Sequence, residues 1–483
     1  MQTQVKKISI LTVTLVASLG GFLFGFDMAV ISGVLPLVQK QFNLSAFQQG
    51  WFVSVALVGC IVGVAFSGEL ADRVGRKKPL LLSAVLFLLS ALGCAVAPSL
   101  LLIIIARFLG GIGIGLASNV VPLYISEIAP AKSRGRLITY YQFALTFGIL
   151  VAYLTNAGLV KYAFTHTGDN ATGFFASFYT TEVWRAMLGF GSIPAVLFLL
   201  GLFLVPESPR WLFQKNRVEK GNQVLEALGI DQDIKEEVVP ALKNNDEKGS
   251  YKELFSTRWR KALLIGVLLP LFSQFSGINA IIYYGPSILS NAGISLDNAV
   301  LSQVIFGAAN MLFTLIAIWK VDSAGRRPLY LVGTAGAAIS LLCTGICFAV
   351  GATGTIWLLI CVLLFLACFA FSIGPLKFVI AAEIFPNKIR GRAMAISIMV
   401  MWIADTIVGQ LTPVLLKAIG TAATFWTFAA FCVIAFFTVY KLLPETKGKS
   451  LEEIEAGWKT GDGDAAAGKP YPLNSGISKM QEP

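Results

Sequence analysis

Glu127-Ile-Ala-Pro-Ala-Lys-Ser-Arg-Gly-Arg136 returns later in the chain as Glu383-Ile-Phe-Pro-Asn-Lys-Ile-Arg-Gly-Arg392, with seven of ten positions identical. Each copy lies between two long apolar runs. Other pairs keep roughly the same offset: Gly68-Glu-Leu-Ala-Asp-Arg-Val-Gly-Arg-Lys77 is echoed by Asp322-Ser-Ala-Gly-Arg-Arg327, and Pro206-Glu-Ser-Pro-Arg210 by Pro444-Glu-Thr-Lys-Gly448. A solenoid would repeat every ~20–50 residues. A repeat of this length means a duplicated half instead, and the apolar runs around each copy make each half a membrane unit.

Composition points the same way. Of the 483 residues, 56% are hydrophobic and only 13% charged, and the mean hydropathy is +0.73. A soluble domain carries about 25% charged residues. Apolar runs of ~20 residues, enough to cross ~30 Å of hydrocarbon, recur throughout. The net charge of +11 would suggest nucleic acid in a soluble chain. In a membrane protein it reflects the excess of Lys and Arg in cytoplasmic loops, and no nucleic-acid partner is expected.

Cys60, Cys94, Cys343, Cys347, Cys361, Cys368 and Cys432 all fall inside apolar runs, where a thiol is a small packing residue. Cys343 and Cys347 are one helical turn apart, but no His or carboxylate stands near to complete a metal site, so no metal is expected. The first apolar run is too long for a secretory peptide and lacks an Ala-x-Ala end, so it reads as a first transmembrane helix.

Twelve spans follow, at roughly 9–34, 49–71, 79–98, 101–125, 137–160 and 184–205, then 261–290, 298–321, 328–351, 355–383, 393–417 and 424–443. The expected fold is an all-α polytopic membrane protein: a six-helix bundle in 1–205, a linker in 206–260, a second six-helix bundle in 261–443 and a tail in 444–483. Trp211, Val218, Val224 and Leu228 recur in the linker at helical spacing, which predicts short amphipathic helices. The tail becomes Gly-, Ala- and Pro-rich after a charged start and is expected to be largely disordered. One set of alternate loops holds Lys6, Lys7, Arg73, Arg76, Lys77, Lys78, Lys132, Arg134, Arg136, Arg326, Arg327, Lys388, Arg390 and Arg392. The other set offers little beyond Lys40, Lys161 and Lys417. By the positive-inside rule both termini and the linker are cytoplasmic.

Two motif matches lead nowhere. Gly463-Asp-Ala-Ala-Ala-Gly-Lys469 approaches a phosphate-binding loop, but Pro470 replaces the required Ser or Thr and no strand precedes it. Gly110-Gly-Ile-Gly-Ile-Gly115 looks like a dinucleotide loop yet lies mid-span, where small residues let helices approach closely. Asn43-Leu-Ser45 and Asn170-Ala-Thr172 are sequons that chance also produces. The one histidine, His166, lies in a loop, and no catalytic group can be assembled from it. An enzyme is not expected.

The informative residues are polar groups inside apolar spans, each costly there and so functional by default. Asp27 in the first span and Arg107 in the fourth are opposite charges in one half. A carboxyl in a low-dielectric site favours its neutral form, and a neighbouring guanidinium reverses that. Alternation between the two situations makes Asp27 a proton carrier; a static ion pair is the competing reading. In the second half, Ser273-Gln-Phe-Ser-Gly-Ile-Asn279 interrupts span 7, ahead of Tyr283, Tyr284 and Pro286, and Gly374-Pro375 interrupts span 10. Spans 1 and 4 also carry Gly clusters and Pro122, so every third span reads as broken, the pattern of helices that line a midplane site. Gln142, Gln274, Asn279 and Asn310 supply neutral donors and acceptors, and Trp402 supplies an apolar plate. That combination suits a neutral polyhydroxyl ligand; interhelical hydrogen bonding is the alternative for any single amide.

These loop motifs, with Gln274-Phe-Ser-Gly-Ile-Asn279, resemble the sugar porter family of the major facilitator superfamily over residues 8–455. The resemblance implies two six-helix bundles that rock about a central sugar site, with no cofactor and the proton gradient as driving force. Asp27 with Arg107 looks like the pair of the bacterial D-xylose–proton symporters, whereas passive facilitators usually have an amide at the Asp27 position. Gln142, Gln274, Asn279, Asn310 and Trp402 match the family's sugar site, and Tyr283 and Gly374, beside the breaks of spans 7 and 10, are expected to bind substrate with them. Departures accompany the matches: Ser273 replaces a Gln, Met401 an Asn or Gln, Lys377 a Trp, and Asp405 an Asn.

Lys377 and Asp405, two opposite charges on neighbouring helices, are expected to pair with each other; holding a sugar acid and coupling protons are the other roles open to them. The resemblance further implies an inner gate of ion pairs: Glu127 with Arg134, Glu383 with Arg390, and Asp72 and Asp322 with Arg76 and Arg326. The same charges would also serve simply to anchor the helix ends inside. The expected activity is import of a pentose or hexose in symport with protons, by a monomer in the cell membrane. A uniporter, a sugar-acid or polyol symporter, and a transporter-like sensor are the alternatives in that order.

Overall fold

The computed structural model describes residues 8–130, 134–166, 178–229, 251–291, 293–353, 356–385 and 387–446. The Asn170 sequon, most of the later linker and the tail with its loop-like motif lie outside them. Twelve helical spans are long and apolar enough to cross a membrane, and no strand occurs among the described residues. The first half comprises α1 (Ile10–Phe42), α2 (Ala46–Val74), α3 (Lys77–Val96), α4 (Leu100–Ile128), α5 (Arg134–Thr165) and one span in two pieces, α6 (Val183–Phe190) and α7 (Ser192–Leu204). Two short helices follow in the linker, α8 (Pro209–Gln214) and α9 (Val218–Ala227), and α10 (Tyr251–Leu254) leads into the second half. There α11 (Arg260–Phe275) and α12 (Ile278–Asn291) make one span, followed by α13 (Leu296–Ala324) and α14 (Arg326–Ala349). Then come α15 (Ile356–Cys368) and α16 (Gly374–Ile384) around a π-helical turn at Phe369–Ile373, α17 (Asn387–Ala418) and α18 (Gly420–Leu442).

Local chemistry sets the helix ends. Asn43 ends α1 in the left-handed region at φ 52°, and Ser45 starts α2 with a capping box in which the Ser45 N–H donates to Gln48 Oε1 at 2.9 Å. The triplet read as a sequon thus holds a turn between two helices. The Gly-rich stretch of α4 has an equally plain role. A Cβ at Gly111 would lie 2.0 Å from the Ala56 carbonyl oxygen and one at Gly115 2.3 Å from that of Cys60. From the facing helix, Gly59 and Gly63 meet the Phe108 and Ile112 carbonyls in the same way. Two small-residue stripes on α2 and α4 therefore pack backbone to backbone, as glycine permits where bulkier residues would hold helices apart.

The expectation that spans 1, 4, 7 and 10 are all broken is corrected in part. Span 7 is broken at Ser276-Gly277, with Gly277 at φ +81°, and span 10 carries the π-helical turn. Spans 1 and 4 are continuous helices that absorb Pro36 and Pro122. Their glycines serve close approach instead: an added Cβ at Gly25 would meet the Leu145 carbonyl oxygen at 1.9 Å.

Among the described residues the halves meet chiefly along α2 with α17, α5 with α13, and α1 with α12. At the end remote from the basic loops, Ser54 Oγ donates to Gln410 Oε1 at 2.8 Å, and Gln410 Nε2 donates to the Phe47 carbonyl at 3.0 Å. Deeper in the bundle, Tyr153 OH donates to the Ile282 carbonyl at 3.3 Å, and the Phe24 and Trp402 rings lie 5.3 Å apart.

Candidate functional site

Asp27 projects from α1 into a small cavity of about 20 Å³, lined by Leu23, Phe26, Val30, Phe87, Ala91, Leu188 and Gly191. That space admits about one water. Arg107, on α4, is buried; its Nε donates to the Phe52 carbonyl at 3.1 Å, its guanidinium lies 5.5 Å from the centre of the Phe52 ring, and its NH1 has no hydrogen-bond partner. Among the described residues, Asp27 makes no hydrogen bond and no ion pair with Arg107. The static pair that competed with the proton-carrier reading is absent from this conformation.

The broken span positions the second group. Because α11 stops at Phe275 and α12 starts again at Ile278, Gln274 and Asn279 face each other across the gap, and Asn279 Nδ2 donates to Gln274 Oε1 at 2.7 Å. The other N–H of the same amide donates to Asp405 Oδ1 at 2.7 Å. Tyr283 OH reaches both Asp405 oxygens, at 3.2 and 3.1 Å. Asp405, only 1% exposed, is thus satisfied by neutral donors.

Lys377 does not pair with Asp405, contrary to expectation. Its ammonium donates to Ser273 Oγ at 2.8 Å and lies 5.1 and 6.0 Å from the centres of the Phe378 and Phe369 rings. The π-helical turn at Phe369–Ile373 and the break at Ser276-Gly277 fix where the two charges point, and each finds its partner on the residues flanking that break. Three departures from the family pattern therefore form two linked sets, Lys377 with Ser273 and Asp405 with Asn279 and Tyr283.

The remaining sugar-site candidates are placed less tightly. Gln142 on α5 and Asn310 on α13 are half-buried, and their side chains make no hydrogen bond among the described residues. Trp402 is fully buried with its Nε1 unpartnered, and Gly374 opens α16 after the π-helical turn.

At the basic end each half builds the same knot. Arg76, 4% exposed, donates from Nε and NH2 to the Glu127 carboxylate at 2.9 and 2.7 Å, and its NH1 lies 3.4 Å from Asp72 Oδ1. Ser208 Oγ donates to the same carboxylate at 2.5 Å. Glu207 caps the start of α3, accepting from the Arg76 N–H at 2.7 Å and the Lys77 N–H at 3.2 Å. The second half repeats the Arg–Glu pair, the hydroxyl donor and the capping Glu. Arg326 donates to Glu383 Oε1 at 3.2 Å, Thr446 Oγ1 donates to Glu383 Oε2 at 2.6 Å, and Glu445 accepts from the Arg326 and Arg327 N–H groups at 3.1 Å each. Gly75 at φ +97° and Gly325 at φ +87° make the two turns that bring these groups together.

The side chains of Arg134, Asp322 and Arg390 lie outside the described residues, and the described cationic partners of Glu127 and Glu383 are Arg76 and Arg326. Glu207, Ser208, Glu445 and Thr446 were not among the residues expected at the gate. The signal that could have found them was present, since Pro206-Glu-Ser and Pro444-Glu-Thr echo each other as the basic motifs do.

Comparison with known proteins places the chain. Residues 13–458 match the family model described as "Sugar (and other) transporter". The chain is 38% identical over 452 residues to the arabinose-proton symporter of Bacillus subtilis (strain 168), covering 93% of this chain and 95% of the relative. It is 38% identical over 494 residues to the D-xylose-proton symporter of Escherichia coli (strain K12), covering 95% and 98%. The inward open conformation of the xylose transporter XylE from E. coli superposes with a TM-score of 0.79 at 37% identity, over 93% of this chain and all of that one. With a family match over nearly its whole length and twelve spans in the fold of that transporter, this chain belongs to the sugar transporter family of the major facilitator superfamily.

Proposed function

We propose that the protein imports a neutral pentose or hexose together with protons, by alternating access across the cell membrane, as a monomer with both termini cytoplasmic and no cofactor. The proton gradient is the driving force. The observation that carries the coupling is Asp27: a carboxyl in an apolar cavity, on the helix that contacts the other half, near a buried Arg107 with an unpartnered N–H but not paired with it. A carboxyl locked in an ion pair could not exchange its proton during a transport cycle; an unpaired one with a cation in reach can do so. The names of the arabinose- and xylose-proton relatives support the same reading.

The conformation fits the import cycle. The latch from Ser54 through Gln410 to Phe47 joins the halves at the end without the basic loops, which the positive-inside rule makes the outer end. In this state the latch ties α2 to α17 at that end.

Uptake into proteoliposomes tests the proposal, with an inward proton gradient imposed or collapsed. The panel is xylose, arabinose, glucose, galactose, inositol and glucuronate. Accumulation of a neutral sugar that needs the gradient is the expected result. In Asp27→Asn, accumulation is lost while exchange of labelled for unlabelled sugar persists, because exchange returns the carrier loaded and needs no net proton transfer. Equilibration indifferent to the gradient would instead mean a uniporter, and accumulation of glucuronate alone would mean a sugar-acid carrier.

A further inference from the structure

We infer that Asp405 is a positioning residue that sets which edge of each amide and hydroxyl around the helix break is offered to the sugar. The inference rests on the reading, made above, that the residues flanking this break line the sugar site.

The argument is one of donor and acceptor counting. A carboxyl oxygen that carries no proton can only accept. Asp405 sits buried against Asn279 and Tyr283, and both donate to its oxygens. This removes the freedom that an amide otherwise has to exchange its oxygen and nitrogen edges. One Asn279 N–H is spent on Asp405 and the other on Gln274 Oε1, which leaves the Asn279 oxygen as the only group it can offer. Gln274, whose oxygen is now engaged, offers its Nε2 donors. Tyr283, whose single proton points at Asp405, offers only its oxygen lone pair.

Lys377 acts in the same sense from the other side of the break: its ammonium donates to Ser273 Oγ, which leaves the Ser273 O–H to act as a donor. The break therefore has a donor edge at Ser273 and Gln274 and an acceptor edge at Asn279 and Tyr283. An uncharged Asn at 405, the usual residue in the family, could either donate or accept and would leave both orientations of Asn279 open. The chain's departure at this position thus reduces an ambidextrous site to one with a fixed polarity, which selects among sugars by which hydroxyl must donate and which must accept.

Fluorinated sugars read this directly, because fluorine in place of a hydroxyl keeps a weak acceptor and loses the donor. The experiment measures affinities of purified protein in nanodiscs for D-xylose, L-arabinose and D-glucose and for their singly deoxygenated and singly fluorinated analogues. Wild type is expected to lose about tenfold or more in affinity when the hydroxyl facing Asn279 is fluorinated, since a site built to hydrogen-bond a hydroxyl rejects the analogue lacking the donor. In Asp405→Asn that discrimination shrinks to about threefold or less, with affinity for the parent sugar kept within about tenfold. A uniform loss across the whole panel, with the discrimination pattern intact, would overturn the inference and leave Asp405 as structure only.

If wild type binds none of these sugars, the transport reading falls. The inference is then decided on the unliganded protein by a melting cycle of Asp405→Asn, Asn279→Ala and the double variant. Additive shifts would overturn it, and non-additive shifts would uphold the constraint of Asp405 on Asn279.

Discussion

Gly75 and Gly325 occupy equivalent turns, and both need a backbone that residues with a side chain rarely adopt. A Cβ at Gly75 would in addition stand 2.2 Å from Glu207 Oε2, whereas one at Gly68, a few residues earlier in the same motif, meets nothing within 4 Å. Gly75→Ala is therefore expected to lower stability by about 1–3 kcal/mol, from the unfavourable φ and the displaced cap. Gly68→Ala is expected to be neutral or slightly stabilising; detergent melting curves of the two variants check the contrast. Motif membership alone would have ranked these glycines equally. At the scale of single residues the sequence marked the unusual groups well, since a charge or amide inside an apolar run is visible without a structure. It could not assign partners. Lys377 and Asp405 were matched by opposite sign, but Ser273 is one short hydroxyl at the mouth of a broken helix, and only the path of α11 and α12 brings it under the Lys377 ammonium while turning Asn279 and Tyr283 toward Asp405.

The helix pairs carry the next set of consequences. The two basic-end knots have the same parts but different burial: the Arg76 and Glu127 side chains are 4% and 8% exposed, those of Arg326 and Glu383 14% and 25%. Glu127→Ala strands a buried guanidinium and is expected to cost about 3–5 kcal/mol. Glu383→Ala leaves Arg326 with water within reach and should cost clearly less. Equal melting shifts for the two variants would contradict this account of the asymmetry. A second prediction concerns α2 and α17. A Cβ at Gly50 would lie 2.3 Å from the Gln410 carbonyl oxygen, so the latch end of these helices closes only because residue 50 has no side chain. Gly50→Leu is expected to hold the latch open, raising the labelling of an introduced Val53→Cys from the latch side severalfold, with gradient-driven sugar accumulation lost. Unchanged labelling would mean that the helices separate elsewhere. Element positions were legible in the sequence to within a few residues for most spans, because hydropathy responds to the bilayer. The exceptions have physical causes: α1 runs on to Phe42 because Pro36 is accommodated within it, and α4 stays whole because its glycines pack against α2.

On the scale of the molecule, the duplicated motif that opens the reading of the chain becomes a duplicated structure. Each half closes its basic end with an Arg–Glu pair, a capping Glu and a hydroxyl donor, drawn from segments far apart in sequence. The residues that complete the knots, Glu207 and Glu445, sit in loops whose importance no hydropathy profile reveals, and only the echo between the halves pointed to them. The residues proposed to couple protons, in contrast, lie in one half: Asp27 and Arg107 belong to the first bundle, and the sugar-site candidates lie mostly in the second. Transport must then join the two through the contacts of α1 with α12 and of Phe24 with Trp402. The most direct test of that coupled transport records current from proteoliposomes on a solid-supported membrane when a neutral sugar is added rapidly, with no proton gradient present. The account predicts a transient inward positive current on addition of the transported pentose or hexose, carried by the accompanying proton and reduced to background in Asp27→Asn. Sugar uptake without any such current, in wild type and variant alike, would contradict it.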